Sequence, residues 1–154
     1  MSKEVLLMLH PTFGVLGMIA ALWVFVETLN VSEANVLRIR GMALLAAVLV
    51  WATLIVGGYW YVVYYGADKA LIKAGPWPFA HGLVMESKEH IFFMMLLLAT
   101  FLPIVTAGDI VRRAATRTVV LWSSALVVLM GLAMEGAGAV TALGTKVALL
   151  ANLG

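Results

Sequence analysis

Imidazoles and carboxylates are the side chains here best equipped to bind a metal or move protons, and they are few: three histidines and eight acidic residues in 154. Two neutral imidazoles on separate helices at one level are what a membrane-embedded haem b requires, because they must approach the iron from opposite faces of a ring wedged between helices. His10 and His90 form such a pair, with His81 held in reserve as a ligand. Glu135 is the matching acid, a partner for a haem propionate or a tyrosine, or a carrier of protons. The same residues allow a non-haem metal reading. Glu86 and Glu89 join His10, His90 and Glu135 as ligands suited to iron, zinc, manganese or copper. The spacing tells against a di-iron bundle, since Glu86 is four residues before His90 and Glu89 directly precedes it, where Glu-x-x-His is needed.

The elements that must position these groups follow from composition. A chain 64% hydrophobic and 12% charged, with mean hydropathy +1.05, has too little polar surface to cover a soluble core. An all-α integral membrane four-helix bundle is expected, a single domain over residues 1–154. A hydrocarbon layer of about 30 Å takes about 20 apolar residues per crossing. Four segments qualify: Pro11 to Leu29, Met42 to Tyr65, Ile91 to Val105 with an apolar extension before it, and Val119 to about Leu143. The first is read as a retained helix, because Trp23, Phe25, Glu27 and Asn30 stand where a signal peptidase would need small residues.

Charge sorting sets the expected orientation. Lys3, Lys69, Lys73, Lys88 and Lys146 fall at one end of the segments, and Arg38, Arg40, Arg112, Arg113 and Arg117 at the other. The arginines crowd two compact loops, which the positive-inside rule places in the cytoplasm of a bacterial inner (plasma) membrane, with both termini outside. By rise along the helix, His10 then lies about 28 Å from the inner end at Leu29, His90 about 22 Å from Val105 and Glu135 about 24 Å from Val119, all in the outer leaflet.

Between the second and third segments, residues Gly66 to Glu89 are expected to form a structured extracytoplasmic loop. Ala67 to Lys73 is a short amphipathic helix ended by Gly75-Pro76-Trp77-Pro78, since two prolines cannot continue it. The aromatic run Tyr59 to Tyr65 suits the membrane interface, and Ser32 is the expected N-cap of the second helix. Glu27 is expected to pair with Arg38 or Arg40 across a short turn. The small residues Gly131, Ala133, Gly136, Ala137, Gly138 and Ala139 mark the fourth helix for close packing, with Glu135 facing protein rather than lipid.

In helical architecture, and through His10, His90, Gly14, Gly17, Phe13, Phe92 and Phe93, the chain resembles the small four-helix membrane b-type cytochromes. The resemblance implies electron transfer by one haem b near the outer leaflet, exchanging electrons with quinone or an external redox partner. Those families hold two haems on four histidines, whereas the second and fourth helices here have none. Trp77 and Phe79 are candidate walls of a quinone-head pocket, or a docking surface, or simple interfacial anchors. Met85, Met94, Met95, Met130 and Met134 are read as adaptable packing.

Several classes are excluded. Without cysteine the chain cannot build thiolate-ligated zinc, an iron–sulfur cluster or thioether-linked haem. It lacks a nucleotide loop, nucleophile elbow or zinc-protease motif, and has no basic aromatic stripe for nucleic acid. Two functions stay in play: an electron-transfer protein or redox-complex subunit, and a non-catalytic accessory subunit packed against other membrane or extracytoplasmic subunits, with a homo-oligomer allowed.

Overall fold

Away from water a backbone must satisfy its own hydrogen bonds, and runs of Leu, Val, Ala and Met do this as helix. The computed structural model describes residues 2–153. In order they form α1 (Lys3–Leu29), α2 (Val36–Val63), α3 (Tyr65–Ala74), a π-helical turn (Ala80–Met85), α4 (Glu86–Thr106) and α5 (Ala114–Ala151), with no strand among the described residues. Four helical stretches, Lys3–Leu29, Val36–Val63, Ala80–Thr106 and Ala114–Ala151, are long and apolar enough to cross a membrane.

The long helices overrun the apolar segments read from the sequence. α1 begins eight residues before Pro11 and passes through it, because the proline ring costs one amide donor without ending the helix here. The Thr12 hydroxyl donates to the Met8 carbonyl at 2.7 Å beside it. α2 starts at Val36 with Asn35 rather than Ser32 as its N-cap residue. The Asn35 side chain instead locks the turn, accepting from the Ser32 amide at 2.8 Å. α5, at 38 residues, is about 57 Å long and projects past its apolar stretch.

Packing arranges the long helices as a ring. α1 lies against α2 and α5, and α4 against the same two, which puts α1 and α4 on a diagonal. The buried stripes are built of small residues: Gly17, Ala20, Ala21, Val24 and Thr28 on α1, and Ile39, Ala43, Ala46, Ala47, Val50 and Thr53 on α2. Large apolar side chains such as Leu16, Ile19, Trp23, Val48, Trp51 and Ile55 point outward. This inverted distribution is how helices pack when lipid removes the hydrophobic drive for association. Hydroxyls in the stripes bond carbonyls of their own helix, Thr28 to Val24 at 2.6 Å and Ser124 to Val120 at 2.7 Å.

The two ends differ in chemistry. At the arginine end, Arg38 forks onto Glu27 at 2.9 and 3.3 Å, and Arg40 donates to the carbonyls of Thr106, Ala107 and Gly108, which the end of α4 leaves without helical partners. At the lysine end, α3 and the π-turn lie on α5. A Cβ on Gly75 would sit 2.6 Å from the Ala148 Cβ, and one on Gly144 2.7 Å from the Ala80 Cβ. Only glycine permits that approach. Lys3 of α1 reaches Asp68 of α3 at 3.5 Å and ties the first helix to the same assembly.

Candidate functional site

The ring closes around one polar cluster to which each long helix contributes. From α1, His10 Nδ1 lies 3.1 Å from the Thr53 carbonyl of α2. A carbonyl only accepts, so Nδ1 carries the proton, and the neutral ring keeps a bare Nε2 lone pair. Gly57, one turn beyond Thr53, makes the approach possible: a Cβ there would overlap the imidazole itself. From α5, Glu135 reaches back to α1, its Oε1 3.1 Å from where a Gly14 Cβ would be, with the Thr53 side chain alongside.

Lys88 of α4 completes the group. Its Nζ lies 3.1 Å from the Cβ position of Gly138 on α5, and its charge acts on both His10 and Glu135. The ammonium forms no direct ion pair or hydrogen bond among the described residues. The arrangement brings together a cation, a carboxylate and an imidazole base. Toward the arginine end the cluster meets an apolar layer of Ala20, Ala21, Ala46, Val50, Leu96, Ala99 and Val127.

His90 lies elsewhere. Two residues past Lys88, it is turned about 200° from it around the helix, and it heads the exposed stripe of Met94, Leu97, Phe101 and Ile104. Its Nδ1 lies 2.7 Å from the Glu86 carbonyl of its own helix. A haem b clasped between His10 and His90 of one chain therefore does not fit: one imidazole points into the ring of helices and the other out of it. A metal held by His10, His90, His81, Glu86 and Glu89 fits no better, since no three or more acidic, histidine or cysteine residues converge to hold one among the described residues. Trp77 and Phe79 meet at a tilt with ring centroids 5.6 Å apart, both on the exposed surface of the lysine end.

His81, the reserve ligand, is buried at 2% exposure in the π-turn, next to Ala80, which packs on Gly144 of α5. Such π-turns recur at functional sites. Tyr65 contacts His81 Nδ1 through its hydroxyl at 3.1 Å. The sequence suggested Tyr65 as a belt residue; it is instead 2% exposed, enclosed by Trp60, Tyr61 and His81. With the phenol donating to Nδ1, the His81 proton sits on Nε2, which is buried without a hydrogen bond and 3.9 Å from Glu86 Oε1. Nearby, Tyr61 lies close to the Glu89 carboxylate, whose Oε1 is also buried without a partner among the described residues.

Burial, with help from the charges of Tyr61, Glu89 and Asp68, pushes the Tyr65 phenol from 10 up to about 12. A folded value above the unfolded one means stability fully present below pH 10 and lost as pH rises through about 12. The lysine end should therefore loosen in alkali over that window. Tyrosinate absorbance followed against circular dichroism checks it, and Tyr65→Phe should remove the Tyr65 share of the transition.

Lys88, Thr53 and Gly57 are the site residues that sequence reasoning passed over. The signal for Lys88 was available in phase: stepping back from Ala99 by helical turns gives Met95, Phe92, Lys88 and Met85, one continuous inward line. No protein-family model, no curated protein and no solved structure matches this chain.

Proposed function

We propose that the chain is an integral membrane protein of the bacterial inner membrane, and that it binds the headgroup of a lipid-soluble quinone or quinol in the lysine-end half of its bundle. The observation that carries this is the convergence of His10, Lys88 and Glu135 from three helices, with the Thr53 carbonyl fixing the imidazole. An ionisable group kept at membrane depth is costly, and three together call for a ligand or a proton task. A quinone-type ring supplies what they lack. Its oxygens accept from the Lys88 ammonium, and in the quinol form its hydroxyls donate to His10 Nε2 and to Glu135. The chain is then the quinone-binding subunit of a larger redox complex whose partner carries the electron acceptor.

The same geometry supports the proposed orientation. Lys88 points into the bundle, so it drops out of the surface count, leaving five arginines at one end against four lysines at the other. By the positive-inside rule the arginine end is cytoplasmic and the site opens toward the outer leaflet.

The test is binding of a short-chain quinone analogue to the protein in nanodiscs, read by quenching of its five tryptophans. Saturable quenching displaced by a second analogue is expected; linear, non-displaceable quenching overturns the proposal. The absorption spectrum tests the competing haem reading. A Soret band lost in both His10→Ala and His90→Ala would restore that reading against the geometry.

A further inference from the structure

The polar cluster does not stop at Lys88. Toward the lysine end, the next residue, Glu89, faces Tyr61 of α2, and beyond it lie His81, Tyr65 and Glu86, the last 59% exposed in its side chain. Toward the arginine end the column ends at Glu135 and Thr53, against the apolar cluster.

Two atoms along this column are conspicuous. His81 Nε2 and Glu89 Oε1 are both buried and both lack a hydrogen-bonding partner among the described residues. A buried polar atom left unsatisfied costs about 1–3 kcal/mol, so native structures supply it with solvent or ligand. One is a donor with Tyr65 bonded behind it, the other an acceptor with Tyr61 beside it. Both belong to side chains that can carry a proton, one an imidazole and the other a carboxylate. The charged and titratable groups facing His81 are Tyr65, Lys69 and Lys73 from α3, with Glu86 and Glu89 from α4.

We propose that Glu89, Tyr61 and His81 line a hydrated proton path between the His10–Lys88–Glu135 cluster and the aqueous phase at the lysine end. A proton released by the bound headgroup is taken by His10 Nε2, which becomes imidazolium. It passes to the Glu89 carboxylate, which becomes neutral as His10 returns to its uncharged form. From Glu89 it leaves through water past His81 and Glu86 to solvent, and the carboxylate regains its charge. Each transfer moves one proton and restores the donor. This rests on the proposed site only for the origin of the proton; the path itself needs no quinone.

The chain has just three histidines, so each ring is separable by NMR of protein labelled with 15N-histidine in nanodiscs. After transfer to D2O, a deuteron delivered to His10 Nε2 along the path forms the imidazolium from which the Nδ1–H can leave, so this exchange is expected to be fast in the parent. It should slow by about a hundredfold, the low end of what a positioned proton-transfer group contributes, in both Glu89→Gln and His81→Phe. His90, on the outer surface and off the path, should exchange at its parent rate, and an unchanged circular-dichroism spectrum should show that the variants are folded. Glu89→Asp should restore most of the His10 rate. Unchanged His10 exchange in Glu89→Gln, with its near-isosteric side chain, overturns the path even if His81→Phe fails to fold. So does a parent ring that remains unexchanged. A path that holds while no quinone analogue binds would leave this inference standing and remove only the ligand.

Discussion

Lys88→Met and Glu135→Leu, made singly, are each expected to destabilise the protein by about 1–3 kcal/mol, while the double variant recovers most of the loss. The reason is the position of the two charges. Lys88 is held against Gly138 and Glu135 against Gly14, close enough to act on each other and removed from bulk water. Deleting either leaves the other uncompensated; replacing both with apolar side chains removes the burden, and such exchanges are commonly neutral or stabilising. Binding should follow the opposite logic. Each single variant loses a charge-assisted hydrogen bond to the ligand, worth about 1.5–3 kcal/mol, or about 10–100-fold in affinity for the quinone analogue. The double variant should bind no better than either. Thermal unfolding in nanodiscs with tryptophan quenching measures both quantities. A double variant that is stable but ligand-blind identifies the charges as functional. If affinity survives in all three variants, the polar cluster is only a packing feature.

How far the sequence reaches can be judged from single residues. Four apolar helices were legible because lipid demands length and hydropathy, and both are written locally. The Glu27–Arg38 pair was legible too, since a short turn leaves few partners. The end of α3 at Gly75-Pro76-Trp77-Pro78 followed from backbone chemistry alone. Which face of each helix turns inward was not. In a soluble helix the apolar stripe marks the core, but beyond His90 α4 is apolar on every face, so Lys88 read as a surface charge and His90, two residues on, as an interior ligand. Small residues carry the missing phase information. Ala99 on α4, like Ala46 and Ala47 on α2, sits where helices touch, and counting turns from it puts Lys88 inside and His90 outside. His81 and Tyr65 escaped for another reason. Their burial depends on the π-turn and on α3 folding back over α5, a long-range arrangement permitted by Gly75 and Gly144 that no local pattern announces.

Adjacent glycines of α2 provide the sharpest discrimination. Gly58→Ala is expected to stabilise the protein by up to about 1 kcal/mol, because nothing lies within 4 Å of its Cβ position and alanine is the better helix former. Gly57→Ala gains the same propensity yet should be net destabilising by about 1–2 kcal/mol, because its Cβ would occupy the space of the His10 ring. The backbone of α2 is packed against α1 there, so the imidazole must be the group that yields. As it swings away, the Nδ1 contact with the Thr53 carbonyl, 3.1 Å in the parent, breaks, and with it the tautomer that leaves Nε2 bare. Quinone-analogue affinity should fall about tenfold, the equivalent of one neutral hydrogen bond. In the 15N-histidine spectrum, only His10 should shift in Gly57→Ala, and no ring should shift in Gly58→Ala. If both alanines leave His10 unmoved, the imidazole is not seated against α2, and its role as the fixed base of the site is lost. If only Gly57→Ala moves the ring and affinity does not change, His10 is seated as described but the ligand does not use it.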